Sequence, residues 1–169
     1  RMPLGVGTGN LPRIALEAEG NMTKFWEIFN ERMNIAEDAL VYRVERTKEA
    51  TPANAPILYQ YGAFGHRLGK EENVDQLFKN RRATVSLGYI GLYEVATVFF
   101  GNSWEYNPEA KEFTLDIIRD MKRRVEEWSD QYGYHFSIYS TPSESLTDRF
   151  CRLDTDKFGS IPDITDKEY

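Results

Sequence analysis

The stretch that decides the fold is Ala83–Ile90 (ATVSLGYI), eight residues rich in apolar and β-branched side chains that predict a β-strand. Gly91 follows at once, and the next nine residues, Leu92–Phe100 (LYEVATVFF), predict an almost wholly apolar helix that ends at Gly101. A helix that is apolar on most sides belongs in the interior of a larger structure. A strand followed directly by such a helix favours an α/β fold.

Predicted helices and strands alternate on both sides of this unit. Towards the C-terminus, residues 109–132 predict an amphipathic helix with a solvated charged face, residues 135–139 a strand, and residues 141–152 another helix. Towards the N-terminus, residues 11–20 predict a short helix, and a longer helix starts near the N-cap Thr23. The apolar positions of the longer helix are Phe25, Ile28, Phe29, Ile35, Ala36, Leu40, Val41 and Val44. This alternation predicts parallel strands joined by helical crossovers.

The middle of the chain is less regular. Two prolines within residues 50–56 end the long helix. Residues 57–61 (ILYQY) predict a short buried strand, residues 62–69 a glycine-punctuated loop, and residues 71–80 a short helix.

Composition excludes several classes of protein. The 169 residues suit one domain, and the net charge of -6 argues against a nucleic-acid partner. Cys151 is the single cysteine, so no internal disulfide forms, and no cysteine or histidine spacing indicates a metal site. No apolar run approaches 18 residues, and the start lacks a signal-peptide pattern. We therefore expect a cytoplasmic protein with no membrane partner, in which His66 and His135 have structural roles.

The candidate binding site is Tyr139–Leu146 (YSTPSESL), where a strand ends and a helix begins. Thr141 suits the N-cap, Pro142 the first helical position, and Glu144 completes a capping box. A capped helix still offers free backbone amides and the positive end of its dipole to an anion. Hydroxyl groups that could join them in binding phosphate belong to Ser140, Ser143 and Ser145.

Two other features do not indicate a site. Gly5–Asn10 (GVGTGN) superficially resembles a dinucleotide-binding loop, but no strand precedes it and Asn10 occupies the third glycine position. Cys151 has no activating partner nearby in sequence, so we interpret it as an inert thiol.

Four stretches resemble the anaerobic (class III) ribonucleoside-triphosphate reductases of the glycyl-radical enzyme family, and the similarity extends over residues 1–169. Two of them are long and unusual in composition, which makes a chance match implausible. The four stretches are residues 10–16 (NLPRIAL), 55–65 (APILYQYGAFG), 82–94 (RATVSLGYIGLYE) and 139–154 (YSTPSESLTDRFCRLD).

The resemblance implies a ten-stranded α/β barrel of which residues 1–169 form one incomplete segment. It implies reduction of ribonucleoside triphosphates to deoxyribonucleotides, in which a glycyl radical passes to a cysteine. The resulting thiyl radical removes the ribose 3′ hydrogen, and many members use formate as reductant. It also implies a structural zinc, ATP and deoxynucleotide effectors, a radical-SAM activating enzyme and a homodimer partner.

For individual residues, the resemblance implies that substrate phosphates bind at the strand–helix junction and that Asn10 lies on the substrate side. The phosphate-binding residues would be Ser140, Thr141, Ser143, Glu144 and Ser145. The radical-bearing cysteine, the glycyl-radical segment, the zinc cysteines and the nucleotide-sensing region have no counterpart in residues 1–169. We therefore expect an internal segment that is inactive when isolated, with no cofactor of its own.

Two alternatives remain open. The chain could be a freestanding or split module that binds nucleotide phosphates without catalysis. It could also belong to another glycyl-radical enzyme, such as a relative of formate lyases, although the matching stretches favour the reductases.

Overall fold

The computed structural model describes residues 2–142 and 145–167. Three short 3-10 turns supplement the regular elements, at Pro52–Asn54, Val74–Leu77 and Trp104–Tyr106. The helices and strands, in chain order, are β1 Met2–Asn10, α1 Leu11–Glu17, α2 Met22–Lys48, α3 Pro56–Tyr59, β2 Ala83–Ile90, α4 Leu92–Phe100, α5 Pro108–Tyr132, β3 His135–Ser140 and α6 Ser145–Phe158.

The three strands form one parallel sheet in the order β1-β2-β3. Helices α1 to α3 lie in the connection from β1 to β2, and helices α4 and α5 lie in the connection from β2 to β3. Parallel neighbours require crossover connections of this kind, because a tight turn cannot return the chain to the same edge of the sheet. The prediction of an α/β fold with parallel strands is confirmed.

The chain divides into two compact units by its internal contacts. The first unit contains residues 1–7, 35–87 and 122–138, and the second contains residues 8–34, 88–121 and 139–169. The C-terminal ends of all three strands belong to the second unit.

The core of the first unit includes the N-terminal part of β1, which packs closely against side chains of α2. A methyl group on Gly5 would lie 2.2 Å from Nη1 of Arg43, and one on Gly7 would lie 3.2 Å from Cδ2 of Leu40. The glycines thus leave the space that the α2 side chains fill. Gly5–Asn10 belongs to a strand, which agrees with rejecting a dinucleotide-binding loop.

An aromatic cluster forms the centre of the second unit. Phe25 is fully buried and makes edge-on contacts with Phe99 and Phe113, at ring-centroid distances of 5.6 and 5.2 Å. Phe29 stacks against Phe25 at 5.9 Å, and Trp26 packs on both. Helices α2, α4 and α5 each supply members, so this cluster fixes α4 against its neighbours.

Several predicted elements are confirmed with close bounds. The strand β2 and the helix α4 have the predicted bounds, and α5 begins one residue earlier than expected. The charged face of α5 is solvent-exposed at Lys122 and Arg123, and Arg123 forms an ion pair with Glu127 at 2.7 Å.

The prediction of a buried strand at residues 57–61 is wrong. The short helix α3 takes its place, with Pro56 at its first position, and 72% of the Ile57 surface is exposed. A proline in the first helical turn loses no hydrogen bond there, so the apolar run did not require an extended chain. Tyr59 is the buried side chain of α3.

Helix boundaries and one burial assignment also differ from the predictions. Asn21, not Thr23, caps α2, since its side chain accepts a hydrogen bond from the Lys24 amide at 3.0 Å. Ile35 is 52% exposed, because the buried stripe of α2 passes through Met33 and Leu40 instead. The predicted helix at residues 71–80 is the 3-10 turn Val74–Leu77.

Among the described residues, no helix combines the length and the apolar character that crossing a membrane requires.

Candidate functional site: a cavity at the carboxyl ends of the strands

A cavity of about 310 Å³ lies in the second unit, beside the carboxyl ends of the three parallel strands. Asn10 ends β1, Ile90 ends β2 and Ser140 ends β3, and all three line it. Ligands of open α/β sheets bind at this edge, because the helices that follow the strands present their N-termini there. The other lining residues are Pro12, Tyr89, Gly91, Leu92, Glu94, Thr141, Thr147, Phe150, Cys151, Asp154 and Ile164.

One wall of the cavity is a hydrogen-bonded group around the buried carboxylate of Asp154. Nδ2 of Asn10 donates to Oδ2 of Asp154 at 2.8 Å, and Nε of Arg13 donates to Oδ1 at 2.6 Å. Oδ1 of Asn10 accepts from the Arg13 backbone N–H at 3.3 Å, which caps α1. The orientation of the Asn10 amide is therefore fixed from both ends.

The turn between β2 and α4 requires glycine. Gly91 has φ = 83°, and a methyl group there would lie 2.2 Å from Cγ of Pro12. A Cβ atom would thus force apart the start of α1 and the start of α4. The closeness of this contact brings Asn10 and Glu94 to the same cavity.

Glu94 is a second buried acid in the lining. Its Oε1 accepts a hydrogen bond from Nζ of Lys167 at 2.6 Å. Nζ of Lys167 also lies 4.4 Å from the centroid of the Tyr93 ring, a cation–π distance. The acid therefore has a fixed cationic partner.

Cys151 lines the cavity as a partly buried thiol. Burial raises the pKa of this thiol, and the carboxylates of Glu94 and Asp154 raise it further, while the ammonium group of Lys167 lowers it. The thiol is consequently protonated at neutral pH. This agrees with the interpretation of Cys151 as inert rather than as an activated nucleophile.

Only some of the predicted phosphate-binding residues that the structure describes line the cavity. Ser140 and Thr141 line the cavity, whereas Ser145, the first residue of α6, is exposed to solvent. Ser143 and Glu144 lie outside the described residues, and with them the predicted capping box. Pro142 is not helical, so α6 begins later than predicted.

Thr141 is tied to its neighbours through two groups. Its backbone N–H donates to the carbonyl of Tyr89 at 3.1 Å, and its Oγ1 lies 3.1 Å from Oγ1 of Thr8. That N–H is therefore not available to a ligand.

Sequence reasoning missed most of the α6 side of the cavity. Thr147, Cys151 and Asp154 line it, at helical spacings of four and three residues. That spacing places them on one face of α6 and was a usable signal. The sequence did not indicate that this face of α6 contacts Asn10.

Neither histidine contributes to this cavity: His66 is exposed and His135 is half-buried at the start of β3. Over residues 2–142 and 145–167, no group of three or more His, Cys, Asp or Glu side chains could hold a metal ion.

A family comparison identifies the kind of protein that carries this cavity. The model of the family described as anaerobic ribonucleoside-triphosphate reductase matches residues 1–169. The chain belongs to this family. The resemblance inferred from four stretches of sequence is thereby confirmed.

Individual reductases support the assignment. The chain is 48% identical to the anaerobic ribonucleoside-triphosphate reductase of Salmonella typhimurium and 46% identical to that of Escherichia coli, each over 170 residues. These alignments cover all of this chain but only 24% of each relative. The chain thus spans about a quarter of the length of the curated relatives that it matches.

A solved reductase supports the fold. The crystal structure of the anaerobic ribonucleotide reductase from Thermotoga maritima, with citrate in the active site, matches at a TM-score of 0.70 and 25% identity. The match covers 92% of this chain and 28% of the Thermotoga chain.

Proposed function

We propose that this chain is a segment of the catalytic barrel of an anaerobic ribonucleoside-triphosphate reductase, called the full-length reductase below. The full-length reductase reduces ribonucleoside triphosphates to deoxyribonucleoside triphosphates for DNA synthesis. The observation that carries the proposal is the cavity at the carboxyl ends of three parallel strands, in a chain that belongs to this family. The segment's part of the task is to bind and orient the substrate.

The substrate phosphates bind beside the first turn of α6. A helix N-terminus attracts anions through its free amides and its dipole. The hydroxyls of Ser140 and Ser145 add donors there, and Thr141 contributes a hydroxyl that already contacts Thr8. Ser143 and Glu144 belong to the same proposal, on the family resemblance alone.

Asn10 contacts the substrate from the end of β1. An asparagine amide has two N–H donors, of which Asp154 takes one, so the second remains for a substrate oxygen. Asp154 and Arg13 hold the amide in a fixed plane, which removes the entropy cost of orienting it when the substrate binds.

The remaining parts of the proposal concern the full-length reductase. They are the ten-stranded barrel, the glycyl radical, the effectors ATP and deoxynucleotides, formate as reductant, the radical-SAM activating enzyme, the homodimer and a cytoplasmic location. A structural zinc would be held outside the described residues, because these offer no suitable ligand group. The isolated segment is expected to be inactive.

The test is a charge placed at the first turn of α6 in the full-length reductase. The variant Ser145→Asp is expected to raise the KM for ribonucleoside triphosphates roughly 10-fold through repulsion of the phosphates. An acidic residue at a helix N-terminus stabilises the helix, so unfolding would not explain such a rise in KM. The measurement is anaerobic formation of deoxyribonucleotides after activation.

The matched control is Ser160→Asp, which adds the same charge at an exposed position beyond the other end of α6. It should change the KM less than twofold. Nucleotide binding without any reduction by the activated full-length protein would contradict the proposal and favour the non-catalytic module. An unchanged KM for Ser145→Asp would remove the phosphates from this helix.

A further inference from the structure

Thr147 carries a buried hydroxyl that no group in the described residues satisfies. Its residue surface is 8% exposed, it lines the cavity, and its Oγ1 has no hydrogen-bond partner. Burying a hydroxyl without a partner is costly, so such groups are rare in folded proteins and call for an explanation.

Other helical threonines in the chain show how a helix normally satisfies this group. Oγ1 of Thr155, also on α6, donates to the carbonyl of Cys151 at 2.9 Å, and Oγ1 of Thr97 donates to the carbonyl of Tyr93 at 3.0 Å. Both use the carbonyl one turn earlier. The hydroxyl of Thr147 has no partner among residues 2–142 and 145–167, so within this part of the chain it is left for a ligand in the cavity.

The position of Thr147 on α6 indicates which part of a ligand it meets. It is the third residue of the helix, and it precedes Cys151 by about 6 Å and Asp154 by about 10 Å along the axis. Helical side chains lean towards the N-terminus, so the hydroxyl lies level with the first turn. That is the level at which free amides and the helix dipole attract a phosphate.

We propose that Oγ1 of Thr147 donates a hydrogen bond to a phosphate oxygen of the ribonucleoside triphosphate, and that Thr147 is a specificity-determining residue of this cavity. The inference rests on the proposed function, because it assumes that a ribonucleoside triphosphate is the occupant. It adds a residue that neither the capped-helix pattern nor the four family stretches assigned to the substrate.

The test uses Cys151 as a reporter within the same cavity. The concentration of ribonucleoside triphosphate that halves the alkylation of Cys151 by iodoacetamide gives an affinity for this cavity, separate from any effector site. Alkylation is measured by mass spectrometry on the full-length reductase before activation, with each of the four ribonucleoside triphosphates and the corresponding nucleosides.

Thr147→Val removes the hydroxyl and keeps the shape of the side chain. It should weaken triphosphate protection roughly 10- to 100-fold, as expected for a hydrogen bond to a charged group. Nucleoside protection should stay unchanged. The melting temperature should stay the same or rise, because an unsatisfied buried hydroxyl is replaced by a methyl group.

Two further variants separate the contact from a packing effect. Thr155→Val removes a hydroxyl of the same helix that is satisfied by the Cys151 and Thr165 carbonyls, so it should lower the melting temperature and leave protection unchanged. Thr147→Ser keeps the hydroxyl and should protect as the unmodified protein does.

The outcomes distinguish the two proposals. If no ribonucleoside triphosphate protects Cys151 in the unmodified protein, the proposed function of the cavity fails. If triphosphates protect and Thr147→Val behaves like the unmodified protein, the role of Thr147 fails alone. An equal loss for nucleosides and triphosphates would overturn the assignment of the hydroxyl to a phosphate oxygen.

Discussion

Asp154 and Asn10 are hydrogen-bonded side chain to side chain at 2.8 Å, although 143 residues separate them in the chain. Asp154 is 3% exposed and also accepts from Arg13 at 2.6 Å. One buried carboxylate thus joins α6 to the junction of β1 and α1 and holds the asparagine that faces the cavity. The consequences of removing this charge can be measured.

Replacing Asp154 with asparagine should loosen both helices that it joins. An amide has one acceptor oxygen, whereas the carboxylate offers one oxygen to Asn10 and the other to Arg13. The guanidinium group of Arg13 also loses its buried counter-charge. Because the Arg13 side chain is 29% exposed and can hydrate, we expect a loss of about 1–3 kcal/mol in local opening free energy. Amide hydrogen exchange in α1 and α6 should accelerate roughly 5- to 150-fold.

Asp156→Asn is the matched control, since it removes an exposed charge from the same helix. It should alter the opening free energy by no more than about 0.5 kcal/mol. Equal exchange rates in the two variants would show that the Asp154 carboxylate does not join these helices.

Replacing Gly91 with alanine should destabilise the protein through two separate effects. The residue has a positive φ of 83°, and the new methyl group would lie 2.2 Å from Cγ of Pro12. The backbone conformation costs about 1–2 kcal/mol and the overlap about 1–3 kcal/mol more. Thermal unfolding monitored by calorimetry should show the lowered midpoint.

Gly20→Ala isolates the backbone part of this cost. Gly20 has a similar φ of 80°, and no heavy atom lies within 4 Å of the added methyl group. It should lower stability by the backbone term alone. If both variants unfold at the same temperature, the close approach of Pro12 is not what requires glycine at position 91.

The alkylation of Cys151 should depend steeply on pH. Burial raises the pKa of its thiol above the ordinary value of 9.0, so the thiolate is scarcer at every pH below that value than in an exposed cysteine. The rate with iodoacetamide should therefore climb about tenfold per pH unit in the range well below the pKa of the thiol, and it should still be rising at about pH 9. Mass spectrometry of the Cys151 peptide gives the rate.

Lys167→Gln should slow this reaction further, because the Lys167 ammonium lowers the pKa of the Cys151 thiol and its loss raises that pKa again. A synthetic peptide around Cys151 provides the unburied reference. A rate that levels off below pH 9 would contradict a raised pKa.

Elements with strong local signals were predictable from the sequence. The apolar and β-branched content of Ala83–Ile90, followed by glycine, was enough to give β2 and α4 their bounds. The apolar run at residues 57–61 led to the wrong prediction of a strand, since a short apolar stretch fits a strand and a helix equally well. Its four-residue helix exposes Ile57 and Leu58, which local pattern could not reveal.

The candidate site was predictable only in part. Ser140 and Thr141 were expected at the junction of strand and helix, and Asn10 came from family resemblance; all three line the cavity. Thr147 and Asp154 were not expected. The cavity that Thr147 lines and the hydrogen bonds that Asp154 accepts both involve residues far away in the chain.

The sequence by itself determined the family and the alternation of helices and strands, because family stretches and hydrophobic periodicity are properties of neighbouring residues. Only the tertiary structure decided that Asp154 holds Asn10, that Gly91 meets Pro12, and that the buried Thr147 hydroxyl has no partner in the part of the chain that the structure describes. These facts depend on side chains brought together by the crossovers of a parallel sheet. The packing of the whole chain sets such contacts, and no local pattern encodes them.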